Sequence, residues 1–146
     1  MDLTPRYIKM CEKAWQIQEA KPHDSLNLYI RKYKVYHYPD SSKWKYWTGK
    51  WEYSKFVEIH KDIKWTEEMG DDVLIWIPTQ SQLQEKIRRE LFYLPRFYFI
   101  SLQNFMEEME YKNILFDSYE QLFLAFYMYK KHKKVWDDEK EEWVDE

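Results

Sequence analysis

Glycine is nearly missing: Gly49 and Gly70 are the only two in 146 residues. Loops that cradle phosphate need glycines close together, because the backbone must adopt positive φ and approach the ligand. Two isolated glycines exclude a P-loop or a Rossmann-type cofactor site. Cysteine is scarcer still. The single Cys11 rules out an intramolecular disulfide, and its place on an apolar helical stripe predicts a buried, inert thiol. Long apolar runs are also absent from both ends of the chain. The expectation is therefore a soluble protein of a reducing cytoplasm, with no membrane partner. The four histidines, His23, His37, His60 and His132, share no ligand spacing, so neither metal nor cofactor is expected. Only five arginines occur, and none lies in a recognisable DNA-reading helix.

Aromatic residues fill the space these absences leave. They make up 20% of the chain, with eight tryptophans and thirteen tyrosines, more than a core of this size buries completely, so some rings are expected at the surface. Net charge is −3, but the sign is unevenly spread. The last ten residues, "DDEKEEWVDE", hold seven acids and one lysine, whereas Leu28 to Trp65 holds nine Lys or Arg against four acids. A basic aromatic middle thus precedes an acidic end.

The length suits one domain spanning residues 1–146, with the last few residues free to fray. Thr4 before Pro5 is a helix start, and Ile8, Cys11, Trp15 and Gln18 keep a helical stripe until Pro22, predicting a helix over 5–20. From Leu28 to Trp65 short runs of Tyr, Trp, Val and Ile, with turns at "YPDSS" and "WTGKW", predict two or three antiparallel strands. "VLIWI", 73–77, is apolar without alternation and is expected to be a central strand covered on both faces.

Thr79 and Gln82 then have capping-box spacing ahead of a helix over 80–91 whose buried face is Leu83, Ile87 and Leu91. "RFYFISL" reads as a short extended segment leading to a helix capped by Ser101, with Leu102, Phe105, Met106 and Met109 inward. Asp117 and Glu120 repeat the capping spacing before a helix with Tyr119, Leu122, Phe123, Phe126 and Tyr127 inward. "VWDDEKEEWV" predicts a terminal strand or hairpin. The fold class is α+β: an N-terminal helix, a small, mainly antiparallel, aromatic-rich sheet, three later helices and the terminal strand or hairpin.

No local signature of catalysis is present. Carboxylate pairs such as Glu67 with Asp71, or Glu107 with Glu110, sit in polar surroundings, whereas acid–base work needs one of the pair desolvated. Two binding surfaces are open instead. Gln80 and Gln84, one helical turn apart, and the aromatics Trp44 and Trp47 are candidates for contacting a protein. The alternative is a surface for single-stranded nucleic acid. Its candidates are Arg31, Lys32, Tyr33, Lys34, Lys43, Trp44, Lys45, Tyr46, Trp47, Lys50 and Trp51, with rings for stacking and cations for phosphate. A strand edge over 50–59 also allows a homodimer.

Four stretches, "MCEKAWQIQEAKP", "WIPTQSQLQEKI", "DSYEQLFLAFYMYKKHKKVWD" and the closing "EEWV", resemble in order a group of small uncharacterised proteins encoded by bacteriophages and prophages. That group shares a W-x-P-x-Q-x-Q-L-Q corner. The chain departs from it where "HDS" and "WDDEKE" replace a Gly-Asp pair and a W-D-G turn. The resemblance implies a phage accessory protein in a bacterial cytoplasm, and products of this size often inhibit or adapt host machinery, including antiphage defences. The expected function is noncatalytic binding to a host protein.

Overall fold

The computed structural model describes residues 1–19, 27–39, 44–55, 58–60, 72–92 and 94–146, with the backbone alone described for 58–60. Pro22, Lys43, the "EEMGDD" stretch up to Asp71 and most of the "YPDSS" turn lie outside these residues. The fold is α+β. Its chain divides into two compact units, residues 16–77 and residues 1–15 with 78–146.

The sheet belongs to the first of these units. Strand β1 (Asn27–His37) is its centre, with β2 (Tyr46–Tyr53) and then β3 (Glu58–His60) antiparallel along one edge and β4 (Val73–Trp76) antiparallel along the other. The β1–β2 register shifts between Lys34 and Tyr36, where Gly49 takes a φ of 82°. Glycine meets that left-handed turn without steric cost. "VLIWI" is buried from Leu74 onward as its composition predicts, but among the described residues β4 pairs with β1 alone and is not the central strand. Its outer edge is closed by a side chain. Gln18, in the short helix α2 (Trp15–Glu19), donates from Nε2 to the Trp76 carbonyl at 3.0 Å, and its Oε1 accepts the Trp76 N–H at 2.8 Å. A primary amide mimics a neighbouring strand there and satisfies both backbone groups.

The second unit is helical. Helix α1 (Pro5–Lys13) is capped by Thr4, whose hydroxyl accepts from the Tyr7 N–H. The predicted 5–20 helix breaks at Ala14, with φ −86° and ψ 72°. Alanine is a strong helix former, so the break comes from packing rather than propensity. It leaves Trp15 exposed, against the stripe expected of it, and Ile17 buried.

Helix α3 (Gln80–Glu90) begins with the capping box its sequence predicts. Thr79 Oγ1 accepts the Gln82 N–H at 3.2 Å, and Gln82 Oε1 accepts the Thr79 N–H at 2.9 Å. Helix α4 (Pro95–Tyr111) takes in the whole of "RFYFISL". The segment is not extended, and Ser101 lies inside the helix rather than at its cap. Proline tolerates the first helical position because no intrahelical N–H bond is lost there, and it fixes φ for the turn that follows. Met106, predicted inward, is exposed.

Helix α5 (Tyr119–His132) is capped by Ser118 rather than Asp117, and Tyr119 faces out. From Gln121 to Tyr129 every residue is buried, as expected for a helix apolar nearly all round. Phe126 stacks 4° from parallel on Phe92 at 6.0 Å and meets Phe105 at 5.3 Å. Burying each such ring contributes roughly 2–3 kcal/mol. Lys133 ends α5 in the left-handed region, and β5 (Lys134–Asp137) pairs antiparallel with β6 (Glu142–Asp145), completing the predicted hairpin. Among the described residues no helix is long and apolar enough to cross a membrane.

Candidate functional site

An apolar cleft opens between α3 and α4 in the helical unit. This cleft of about 400 Å³ has Phe92, Tyr98, Phe99, Leu102 and Phe123 as its apolar lining and Ser81, Gln84, Glu85 and Arg88 along its α3 side. The α3 residues arrive at helical spacing, so one turn after another presents a polar end to the same opening. Arg88 grips Glu85 through Nε at 3.0 Å and Nη2 at 2.5 Å, which leaves Ser81 and the neighbouring Gln84 as the uncommitted polar side chains of the rim among the described residues. Gln84 is half-buried, and no partner holds its amide among the described residues. Gln80, one turn earlier, is also half-buried but does not line the cleft.

Tyr98 gives this lining its one chemical irregularity. Its ring packs at 5.7 Å from Phe92 and 6.0 Å from Phe126, while its hydroxyl is buried without a hydrogen-bond partner among the described residues. Burial pushes the phenol up to about 12. An unpaired buried hydroxyl costs roughly 1–3 kcal/mol.

The opening continues along α4. Phe99 and Leu102 also line a shallow groove with Gln103, Met106, Glu107 and Glu110. Met106 and Glu110 in turn border a second cleft of about 390 Å³ against Ile114, Leu115 and Leu122. Phe99 is 70% exposed, Met106 47% and Leu115 63%. Seventeen helical residues span about 25 Å at 1.5 Å each, so the apolar strip is long as well as open. Contiguous apolar surface of this kind marks sites of protein contact.

The basic aromatic segment is divided by the pleat of its strands. Lys32 and Lys34 share one face of β1 with Tyr36, and their register partners are Tyr53, Trp51 and Trp47. On that face the ammonium of Lys34 lies 4.8 Å from the Trp47 ring and 5.5 Å from Trp51, and Lys32 lies 5.2 Å from Trp51. Trp47 and Trp51 meet edge to face at 6.0 Å. Lys45 covers Tyr36 in the same way at 4.4 Å. The opposite face carries Arg31, bridged to Asp72 at 3.2 Å, and Tyr33, whose hydroxyl donates to Glu52 at 3.2 Å. The candidate list therefore does not form one surface. Its lysines occupy the ring faces that a base would need, and two members are engaged with acids. Trp44 and Tyr46 are exposed at the far end of the hairpin, Lys50 is exposed midway along β2 beside the register shift, and Lys43 lies outside the described residues.

A polar cluster that sequence reasoning missed ties the helical unit together. Asp2 accepts four bonds: from the Thr4 N–H at 2.8 Å, Thr4 Oγ1 at 2.7 Å, Ser118 Oγ at 2.5 Å and Gln121 Nε2 at 2.8 Å. Burial by itself raises its carboxyl, but the donors from Ser118, Thr4 and Gln121 outweigh that and hold it below the ordinary 3.8. Arg6 donates to Gln121 Oε1 at 2.8 Å and grips Asp138 through two bonds. With its acceptors filled, this carboxylate is suited to holding structure rather than accepting protons from a substrate. Cys11 is fully buried, and that burial raises its thiol well above the ordinary range. Among the described residues no three His, Cys, Asp or Glu side chains gather as a metal-binding group.

The chain matches no known family, curated protein or solved structure.

Proposed function

We propose that this chain is a noncatalytic protein-binding accessory product of a bacteriophage or prophage, acting in the bacterial cytoplasm on a host protein that it inhibits, antiphage-defence machinery being the target class. The phage context rests on the ordered sequence stretches described above. The binding mode rests on one observation: the open apolar lining between α3 and α4, with Gln84 and the buried Tyr98 hydroxyl as polar groups beside it. Covering Phe99, now 70% exposed, contributes roughly 2–3 kcal/mol to a complex, and pairing Gln84 supplies direction. A rigid aromatic anchor beside a satisfied amide is how protein interfaces concentrate their affinity.

The test is recovery of the tagged chain from bacterial lysate at moderate salt, with and without nuclease. One host protein should be retained through nuclease and lost with Phe99→Asp, and weakened by Gln84→Ala, while the thermal midpoint of each variant stays near that of the parent. Retention indifferent to both substitutions would refute the assignment of this cleft.

A second reading, single-stranded nucleic-acid binding, draws on the β1–β2 face where Lys32 and Lys34 stand among Trp47, Trp51 and Tyr53. Recovery of nucleic acid alone, falling steeply between low and moderate salt, would favour it over the protein partner.

A further inference from the structure

Helix α4 carries a second stripe, pointing away from the core and past the α3–α4 cleft. Arg96, Ile100, Gln103, Glu107 and Glu110 recur at three- and four-residue steps, with Met106 beside them, and all are exposed. Ile100 and Met106 are each 47% exposed. No ion-pair partner holds Arg96, Glu107 or Glu110 among the described residues. The stripe thus has an unpaired cation at its start, unpaired acids at its end, apolar side chains between them and an amide in the middle.

That order is self-complementary. Arg96 and Glu110 stand seven residues on either side of Gln103, and Ile100 and Met106 stand three on either side. A second helix of the same sequence, laid antiparallel with its two-fold axis at Gln103, brings Arg96 to Glu110, a contact occurring twice, and sets Ile100 and Met106 on the two flanks of the seam. Glu107, one turn before Glu110, adds to the field that meets the incoming Arg96. The two Gln103 amides lie on the axis, where each can donate to the other. A two-fold contact demands that one surface patch match itself, and charge of opposite sign at equal distances from the axis provides that match. A parallel arrangement would set Arg96 on Arg96 and Glu110 on Glu110.

From this stripe we infer that the chain pairs with a second copy of itself through antiparallel α4 helices. The interface goes beyond the proposed host-protein contact. It is centred on Arg96, Ile100, Gln103 and Glu110, whereas that cleft is centred on Tyr98, Leu102 and the α3 rim, so each is tested by variants that leave the other's residues in place.

Light scattering on the full chain over a concentration series reads the mass directly. The parent should rise with concentration from one chain toward two. Arg96→Glu and Glu110→Arg should each weaken the dimer about tenfold or more, since each turns two attractive contacts into repulsive ones, and the double variant Arg96→Glu with Glu110→Arg should restore it. Ile100→Asp should abolish it. These side chains are exposed, and an unchanged thermal midpoint at low protein concentration shows that the monomer still folds. A single-chain mass at every concentration overturns the inference. So does a dimer that survives both single charge reversals, which would place self-association elsewhere, for instance on the β2 edge. The cleft variant Gln84→Ala should leave the mass unchanged.

Discussion

Replacing Asp2 with asparagine probes the cluster that joins the start of the chain to α5. The aspartate fills four acceptor positions with donors from Thr4, Ser118 and Gln121. Asparagine keeps one carbonyl oxygen and turns the other into an NH₂ that faces donors. About two charge-assisted bonds are lost, at roughly 1.5–3 kcal/mol each, and relaxation returns part of that, so a net loss of about 2–4 kcal/mol is expected. For a chain of this size the melting point should fall by roughly 6–12 °C.

The pH dependence adds a check on sign. The folded carboxyl sits below its ordinary 3.8, so the unfolded chain binds the proton more tightly. Its stabilisation is fully present above 3.8 and is lost as pH falls through the lower, folded value. The gap between parent and Asp2→Asn should therefore be constant near neutrality and narrow below about 3.8. Thermal and urea denaturation followed by circular dichroism measure both. Equal stabilities within about 0.5 kcal/mol at neutral pH, or a gap that widens in acid, would refute the reasoning.

Two further outcomes follow from local geometry. Gln18→Leu should free both edge groups of Trp76, lowering the stability of the sheet unit by about 1–3 kcal/mol and speeding hydrogen exchange of the Trp76 amide, while the helical unit is untouched. Cys11 should resist a thiol reagent in the folded protein and react at once in denaturant, because its thiol is fully buried and its ionised form strongly disfavoured. Ready reaction of the native chain would contradict that burial.

Features decided within a few residues were legible in the sequence. Thr79 and Gln82 form their box because both bonds are local, and the terminal hairpin follows from β-forming residues around a polar turn. The start of α4 was misread because Arg96 to Ile100 has the composition of a strand. Pro95 was the available signal, together with the stripe Tyr98, Leu102, Phe105 and Met109, which keeps helical spacing. The centre of the sheet was assigned to β4 because an unbroken apolar run implies burial on both faces. Burial and edge position are different properties, and a glutamine side chain completed that edge. Gln84, a candidate from its helical spacing, lines the cleft, whereas the apolar lining has no sequence signal: Phe92, Phe99 and Phe123 come from three segments that only tertiary packing brings to one opening. The basic aromatic segment was read by composition, while the alternation of its strands sends Lys32 and Arg31 to opposite faces.

Among the described residues each compact unit carries one pair of tryptophans set edge to face, Trp47 with Trp51 at 6.0 Å and Trp136 with Trp143 at 5.2 Å. Indoles this close couple their electronic transitions, and the coupled band disappears when either ring turns away. The molecule therefore holds two native chromophores, one reporting the sheet and the other the helices. Removing Trp47 silences the first, removing Trp143 the second, and the melting of either half becomes visible without an added label.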